Sequence, residues 1–453
     1  MGILLHGRIA CVCACLFAIV LAPGLGHCAG GNAPPNIVVI LADDLGWGDL
    51  GCQGATDLRT PHVDSLASRG MRLSHFYANS PVCSPTRASL MTGRYPDLVG
   101  VPGVIRFREA NSWGNLADDA VLLPAVLKGA GYHTAIVGKW HLGLASPDTP
   151  NDRGFDHFHG FLGDMMDDYW THLRDGQNFM RLDRTTIEPE GHATDLFTRW
   201  AIEYIESRVK AGGPFFLYLA YNAPHDPIQP PPDWLARVRA REPGATEQRS
   251  KIAALIEHMD DGVGRVLAAI ERLGIAGRTL VIFTSDNGGN LAFGANNGPL
   301  RGGKQQMFEG GIRVPFLAVL PGRIAAGVRS ERRAITMDIF PTVCELAGAA
   351  APTAIEGRTF LPTLLGHEQP ADDRTFFWVR REGGKYKGGV YYAARRGSWK
   401  LLQNEPGEPF GLYDLDQDSG ETKDLGAVHP QRAALEEAVG VHGRQGEAVP
   451  WRP

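Results

Sequence analysis

The chain has 453 residues, 43% of them hydrophobic and 21% charged, with a formal net charge of −5. That composition suits a globular protein with a sizeable core, built as one large domain and a smaller companion. It excludes a nucleic-acid binder resting on a basic tract and a chain carrying a long block of like charge.

The first residues read as an export signal. His6 and Arg8 precede an apolar run from Ile9 to Leu21, followed by Pro23, Gly24 and Gly26. A short positive start, an apolar middle and a small-residue end mark a secretory leader over residues 1–29, cleaved between Gly26 and Gly31. The run is too short to span a bilayer, and no later segment reads as a membrane span. Leu25-Gly26-His27-Cys28 has the outline of a lipoprotein site, but His27 disfavours a lipid anchor at Cys28. The expected location is therefore an exported one: periplasmic, extracellular or lysosome-like. Past the leader the cysteines are Cys52, Cys83 and Cys344, too few and too scattered for a disulfide framework.

In chain order, NIVVILA (36–42) predicts a strand that runs into Asp43 and Asp44. HVDSLASRG (62–70) and LLPAVLKGAGY (122–132) predict helices, and TAIV (134–137) a strand leading to Lys139 and His141. ATDLFTRWAIEYIESRVKA (193–211) predicts an amphipathic helix packed on a sheet. FFLYLAY (215–221) is a strand followed by PHDP, which contains His225. KIAALIEHMDDGVGRVLAAIERLG (251–274) is a helix. TLVIFTS (279–285) runs into Asp286 and Asn287, and FLAVL (316–320) is a further strand. Strands apolar on both faces, alternating with helices, predict an α/β fold with a large, mainly parallel central sheet flanked by helices. TFFWVRR, GGVYYAARRGSWKLLQN and GLYDLDQDSGETKDL then read as short strands joined by Gly-rich turns, with a helix near 430–440. They predict a small C-terminal antiparallel sheet with one helix. The polar stretch GHEQPADD places the boundary so that the large domain is 30–370 and the small subdomain 371–453.

Four strands deliver polar groups to one rim, and open α/β sheets bind ligands beyond the carboxyl ends of their strands. Asp43, Asp44, Asp286 and Asn287 offer only hard oxygen donors, which suit calcium or magnesium and not zinc. Three carboxylates near one point repel unless a cation lies between them. In SPVCSPTRASLMTGR (80–94), Ser84 reads as a helix N-cap and Pro85 as the first helical residue. Cys83 then stands just before a helix N-terminus, where free N–H groups favour anions, and Arg87 reaches back one turn. Such a pocket suits a sulfate or phosphate group. The residues alone leave Cys83 as either a thiolate nucleophile or a buried structural thiol.

Cys-x-Pro-x-Arg followed by ASLMTGR resembles the sulfatase signature. ILADDLGWGDLGCQG (40–54), GKWHLG (138–143), FTSDNGG (283–289) and NGPLRGGKQQMFEGGIRVPF (297–316) resemble the same family's other motifs. Their wording is most similar to the arylsulfatase and N-acetylgalactosamine-6-sulfatase branch. The resemblance implies an alkaline phosphatase-like fold and hydrolysis of a carbohydrate or aryl sulfate ester. It implies that a maturation enzyme oxidises Cys83 to formylglycine (3-oxoalanine). Hydration of that aldehyde gives two hydroxyls, one to attack sulfur and one to eject the sulfate. It implies one calcium ion held by Asp43, Asp44, Asp286 and Asn287 and touching residue 83. Arg87 and Lys139 would hold the hydrated aldehyde, and His141 would take a proton from it. His225 and Lys304 would contact the sulfate, one of them protonating the leaving alcohol. Loops 97–118 and 160–192 depart from the family's pattern and leave the substrate open. Asp167, Asp168, Trp170, His172 and Arg174 form a cluster that fits either sugar contact or a plain surface loop. The competing functions are a phosphatase or phosphonate monoester hydrolase on the same fold, and an inactive polysaccharide-binding protein.

Overall fold

The computed structural model describes residues 1–2, 34–426 and 429–451. The expected leader and Cys28 lie outside the described residues, apart from Met1 and Gly2. No helix among the described residues is long and apolar enough to cross a membrane.

A ten-stranded sheet runs in the spatial order Val328–Ile335, Met71–Tyr77, Phe316–Val319, Thr279–Ser285, Asn36–Ala42, Phe215–Ala220, His133–Lys139, His157–Phe161, Met180–Leu182 and Thr185–Thr186. The five strands from Thr279–Ser285 to His157–Phe161 are mutually parallel. Three of them, Asn36–Ala42, Phe215–Ala220 and Thr279–Ser285, are buried at every residue. Successive side chains point to opposite faces, so both faces are covered. This is the expected mainly parallel, helix-flanked sheet.

The rims differ from the parallel expectation. Phe316–Val319 runs antiparallel to both of its neighbours. Met71–Tyr77 and Val328–Ile335 are strands that the apolar pattern does not announce. VRSERRAI ends the sheet, and Arg329 and Glu331 on it face solvent as charges on a guarded edge do. The helix Pro232–Arg241 is also unannounced, because it buries only Val238.

A four-stranded antiparallel sheet, Phe376–Arg381, Val390–Arg396, Trp399–Leu402 and Gly411–Asp414, follows. Phe376, Trp378, Tyr391 and Leu402 pack with Tyr77, Met307, Ile312 and Ile335 of the large sheet's flank. Ala394, Leu401 and Leu412 pack with Leu435 and Val439 of the helix Pro430–Glu447. The period-2 alternation of the strands thus serves two apolar layers, one on each face.

One local expectation fails. The helix after the rim is Cys83–Thr92, with Val82 extended as its N-cap and Gly93 closing it in the left-handed region. Ser84 is therefore inside the first turn and is not the cap. Its hydroxyl accepts instead from the Ile105 N–H at 3.1 Å. Cys83 is the first helical residue and still lies where the helix leaves backbone N–H groups without helical partners.

Candidate active site

The carboxyl ends of four neighbouring parallel strands supply the site. Asp43 and Asp44 follow Asn36–Ala42, Asp286 and Asn287 follow Thr279–Ser285, and His225 follows Phe215–Ala220. Lys139 ends His133–Lys139, with His141 two residues on. Two glycines permit the close packing behind them. Gly138 has φ 108°, and a Cβ there would lie 1.9 Å from the Ala220 carbonyl oxygen. A Cβ on Gly288 would lie 1.8 Å from the Gly310 oxygen. Asp44 and His141 are non-glycine residues at φ 67° and 60°, a backbone strain that tends to collect at functional sites.

Polar bonds tie these residues into one buried array. Lys139 Nζ donates to Asp43 Oδ2 at 2.6 Å. Arg87 donates through Nε and Nη2 to Asp286 Oδ2 at 3.1 and 2.8 Å, and through Nη1 to the Lys139 carbonyl at 3.1 Å. Asp286 Oδ1 accepts from the Asp44 N–H at 3.2 Å. Asn287 Nδ2 donates to Asp44 Oδ1 at 2.8 Å, and Lys304 Nζ to Asp44 Oδ2 at 2.7 Å. The Cys83 sulfur and carboxylate oxygens of Asp43 and Asp286 all lie within 4.8 Å of one another. Every residue expected at the rim is therefore brought together, Lys304 included.

Hydrogen bonds orient the two histidines. His141 Nε2 lies 2.7 Å from the Ile105 carbonyl, which can only accept, so Nε2 carries the hydrogen. Burial, then Lys139 and Arg87, hold this imidazole well below its usual range, so it is neutral. Its Nδ1 is buried without a protein partner and is a free proton acceptor. His225 Nδ1 donates to the Asp226 carbonyl at 2.6 Å, leaving Nε2 to accept from Lys304 Nζ at 2.9 Å.

Electrostatics separate the carboxylates. Burial favours a neutral Asp43, but the cations Lys139, Arg87 and Lys304 outweigh it and hold its carboxyl well below the usual range. Burial and the neighbouring Asp43 push Asp286 up to about 7. Burial also pushes the Cys83 thiol up, despite Lys139 and Lys304. An unmodified thiol here stays protonated and is a weak nucleophile.

The array fits an oxygen-liganded cation. Asp43 Oδ1 and Asn287 Oδ1 are buried oxygens that take no hydrogen bond from the protein, and such atoms are costly unless something satisfies them. A second grouping, His192, Asp195 and His258, is different. Both His192 nitrogens are engaged, with the Thr194 N–H and the Gln229 carbonyl. Asp195 faces His258 and Arg265.

The divergent loops meet beside His141. Arg108 pairs with Asp175, and Arg174 lies over the Phe107 ring at 5.0 Å. Arg174 also pairs with Asp164 and Asp167, Asp168 caps the Trp170 and Thr171 N–H groups, and His172 bonds the Gly191 carbonyl. Of the five residues in the expected cluster, Asp167 and Trp170 are exposed, and the other three are buried or half-buried. Tyr169, beside it, donates its hydroxyl to the Asn222 and His225 carbonyls at 2.8 and 2.9 Å. Ile105 and Tyr169 escape a motif reading because each contact runs through a main-chain carbonyl, Ile105's own or those of Asn222 and His225, and such atoms carry no residue identity.

A family model described as Sulfatase matches residues 35–349, and one described as N-sulphoglucosamine sulphohydrolase, C-terminal, matches residues 303–439. The chain is 36% identical over 407 residues to N-acetylgalactosamine-6-sulfatase of Sus scrofa, covering 85% of this chain and 74% of that relative. It is 36% identical over 465 residues to arylsulfatase A of Bos taurus, covering 90% and 86%. The crystal structure of Ps i-CgsB in complex with k-i-k-neocarrahexaose matches with a TM-score of 0.83 at 32% identity, covering 93% of this chain and 95% of that one. With a family model spanning most of its length and relatives above one-third identity, the chain belongs to the sulfatase family and is a hydrolase of sulfuric esters.

Proposed function

We propose that this enzyme converts a carbohydrate or aryl sulfate ester to the alcohol and inorganic sulfate, with formylglycine at position 83 and one calcium ion. The pair of buried, unpartnered oxygens, Asp43 Oδ1 and Asn287 Oδ1, carries this reading. Asp43, Asp44, Asp286 and Asn287 would hold the ion beside residue 83. Bound there, calcium supplies Lewis-acid and templating chemistry. Three carboxylates already face three cations, Arg87, Lys139 and Lys304. A divalent ion therefore leaves positive charge to meet an anionic ester.

Oxidation and hydration of residue 83 supply an oxygen nucleophile in place of a protonated thiol. Lys139 and Arg87 favour an ionised oxygen at that position, as fixed neighbouring cations do. His141 Nδ1 takes a proton from residue 83. Lys304 contacts the sulfate, and the Lys304–His225 pair delivers the proton to the alcohol oxygen as its bond to sulfur breaks. Positioning and charge dominate, as in phosphoryl transfer.

The N-acetylgalactosamine-6-sulfatase relatives and the neocarrahexaose-bound neighbour favour a carbohydrate sulfate, and the leader-like N-terminus and the cysteine motif favour an exported setting and processing by a maturation enzyme. Residues 30–370 would carry the chemistry, with 371–453 as the C-terminal subdomain. The test compares an aryl sulfate with the matching aryl phosphate, using calcium-loaded enzyme. Faster turnover of the sulfate supports the reading. Preferential phosphate release overturns it in favour of a phosphohydrolase.

A further inference from the structure

Lys304 stands on a segment that the small sheet grips through the main chain. The Gln305 N–H donates to the Pro81 carbonyl at 2.8 Å, two residues before Cys83. The Gln305 carbonyl accepts from Arg380 Nη1 at 2.9 Å and from the Tyr391 hydroxyl at 2.8 Å. Arg380 Nη1 also donates to the Tyr391 oxygen, so the three groups close a ring of donors and acceptors. Arg380 and Tyr391 are buried, and they stand on the neighbouring strands Phe376–Arg381 and Val390–Arg396. Gln305 sits at φ 76°, where a non-glycine residue stays only if its surroundings hold it. Further along the segment, the Met307 N–H donates to Asn404 Oδ1 at 2.6 Å. The Glu309 carboxylate takes Lys400 Nζ at 2.9 Å.

We propose that the small sheet is part of the catalytic apparatus, with Tyr391 and Arg380 acting through the Gln305 carbonyl as positioning residues for the Lys304 ammonium. The inference rests on the reading of Lys304 as the contact to the transferred sulfate. The geometry gives it a specific form. Gln305 is bonded on one side to the loop that leads into Cys83 and on the other to the small sheet. It therefore fixes the spacing between the nucleophile's helix and the lysine. A lysine on an untethered loop would lose orientation against Asp44 and His225, and small misplacements at a reacting centre are expensive in rate.

A double-mutant cycle tests this, with formylglycine content equalised by mass spectrometry. Tyr391→Phe removes one oxygen and is expected to lower kcat by about tenfold, with KM and Tm little changed. In a Lys304→Ala background the same change is expected to alter kcat by less than about twofold, because the residue it acts through is gone. The same factor in both backgrounds, or a loss of Tm alone, overturns the proposal. Arg380→Lys takes the place of Tyr391→Phe in the cycle if the phenylalanine variant does not fold. Calorimetry with inorganic sulfate as probe repeats the cycle without turnover. An enzyme that releases no sulfate would therefore sink the sulfatase reading, while additive binding effects would sink only the positioning role.

Discussion

At the rim of the large sheet, Asp43, Asp44 and Asp286 face Arg87, Lys139 and Lys304. Where the small sheet docks, Glu309 and Glu421 face Lys400, with Arg395 close by. Both clusters are buried, yet they are finished differently. In the second, Lys400 Nζ lies 2.9 and 2.8 Å from one oxygen of each glutamate. The other oxygens accept from the Tyr77 hydroxyl at 2.7 Å and the Glu309 N–H at 2.6 Å. In the first, Asp43 Oδ1, Asn287 Oδ1 and His141 Nδ1 have no protein partner. The structural cluster pairs each glutamate oxygen with a protein donor or cation, Glu421 Oε1 through its ion pair with Lys400 alone, whereas the cluster that serves chemistry keeps atoms open for what it will bind.

The sharpest way to break this contrast is to alter residue 83. Cys83→Ala is expected to lower kcat by about 10⁴-fold or more while Tm stays near wild type, because the side chain acts in the chemistry. Cys83→Ser is expected to fail in sustained turnover, since a single hydroxyl lacks the second that ejects sulfate. Wild-type rates in either variant would remove the basis of the mechanism.

Metal removal comes next. A tight chelator is expected to cut turnover by about 10²-fold or more, with recovery on adding calcium. Calcium alone is also expected to raise Tm, since a ligand bound only by the folded state stabilises it. Indifference of both readouts would leave the two open oxygens unexplained.

The structural cluster should answer in stability. Lys400→Met leaves Glu309 and Glu421 facing each other and is expected to cost about 3–5 kcal/mol near neutral pH. Lys400 is the chief cation opposing burial at Glu309, whose carboxyl it helps hold at about 2. Without it the folded-state value rises above the unfolded one of about 4.3. The penalty therefore grows as pH rises through that unfolded value and shrinks on acidification. Chemical denaturation at pH 4.5 and pH 8 checks the sign.

The smallest effect belongs to Cys52. Burial and the nearby Asp64 push its thiol up to about 12, so it is inert. Cys52→Ser is expected to change stability by less than about 0.5 kcal/mol and to leave turnover unchanged.

Much of the rim was legible because its residues follow apolar strands directly. Asp43 and Asp44 after NIVVILA, and Asp286 and Asn287 after TLVIFTS, need only the rule that ligands collect at carboxyl ends. Ser84 was misread because its hydroxyl serves a tertiary bond to Ile105, which local capping rules do not see. Met71–Tyr77 was missed because MRLSHFY interleaves polar residues with its apolar ones, and Val328–Ile335 because a charged edge strand carries no apolar stripe. Arg380 and Tyr391 were invisible as parts of the site, since their target is a main-chain carbonyl remote in sequence.

The most direct measurement is mass spectrometry of the peptide carrying residue 83, taken from enzyme that is releasing sulfate at full rate. The account predicts formylglycine at that position in proportion to activity. An intact cysteine throughout fully active enzyme would contradict it.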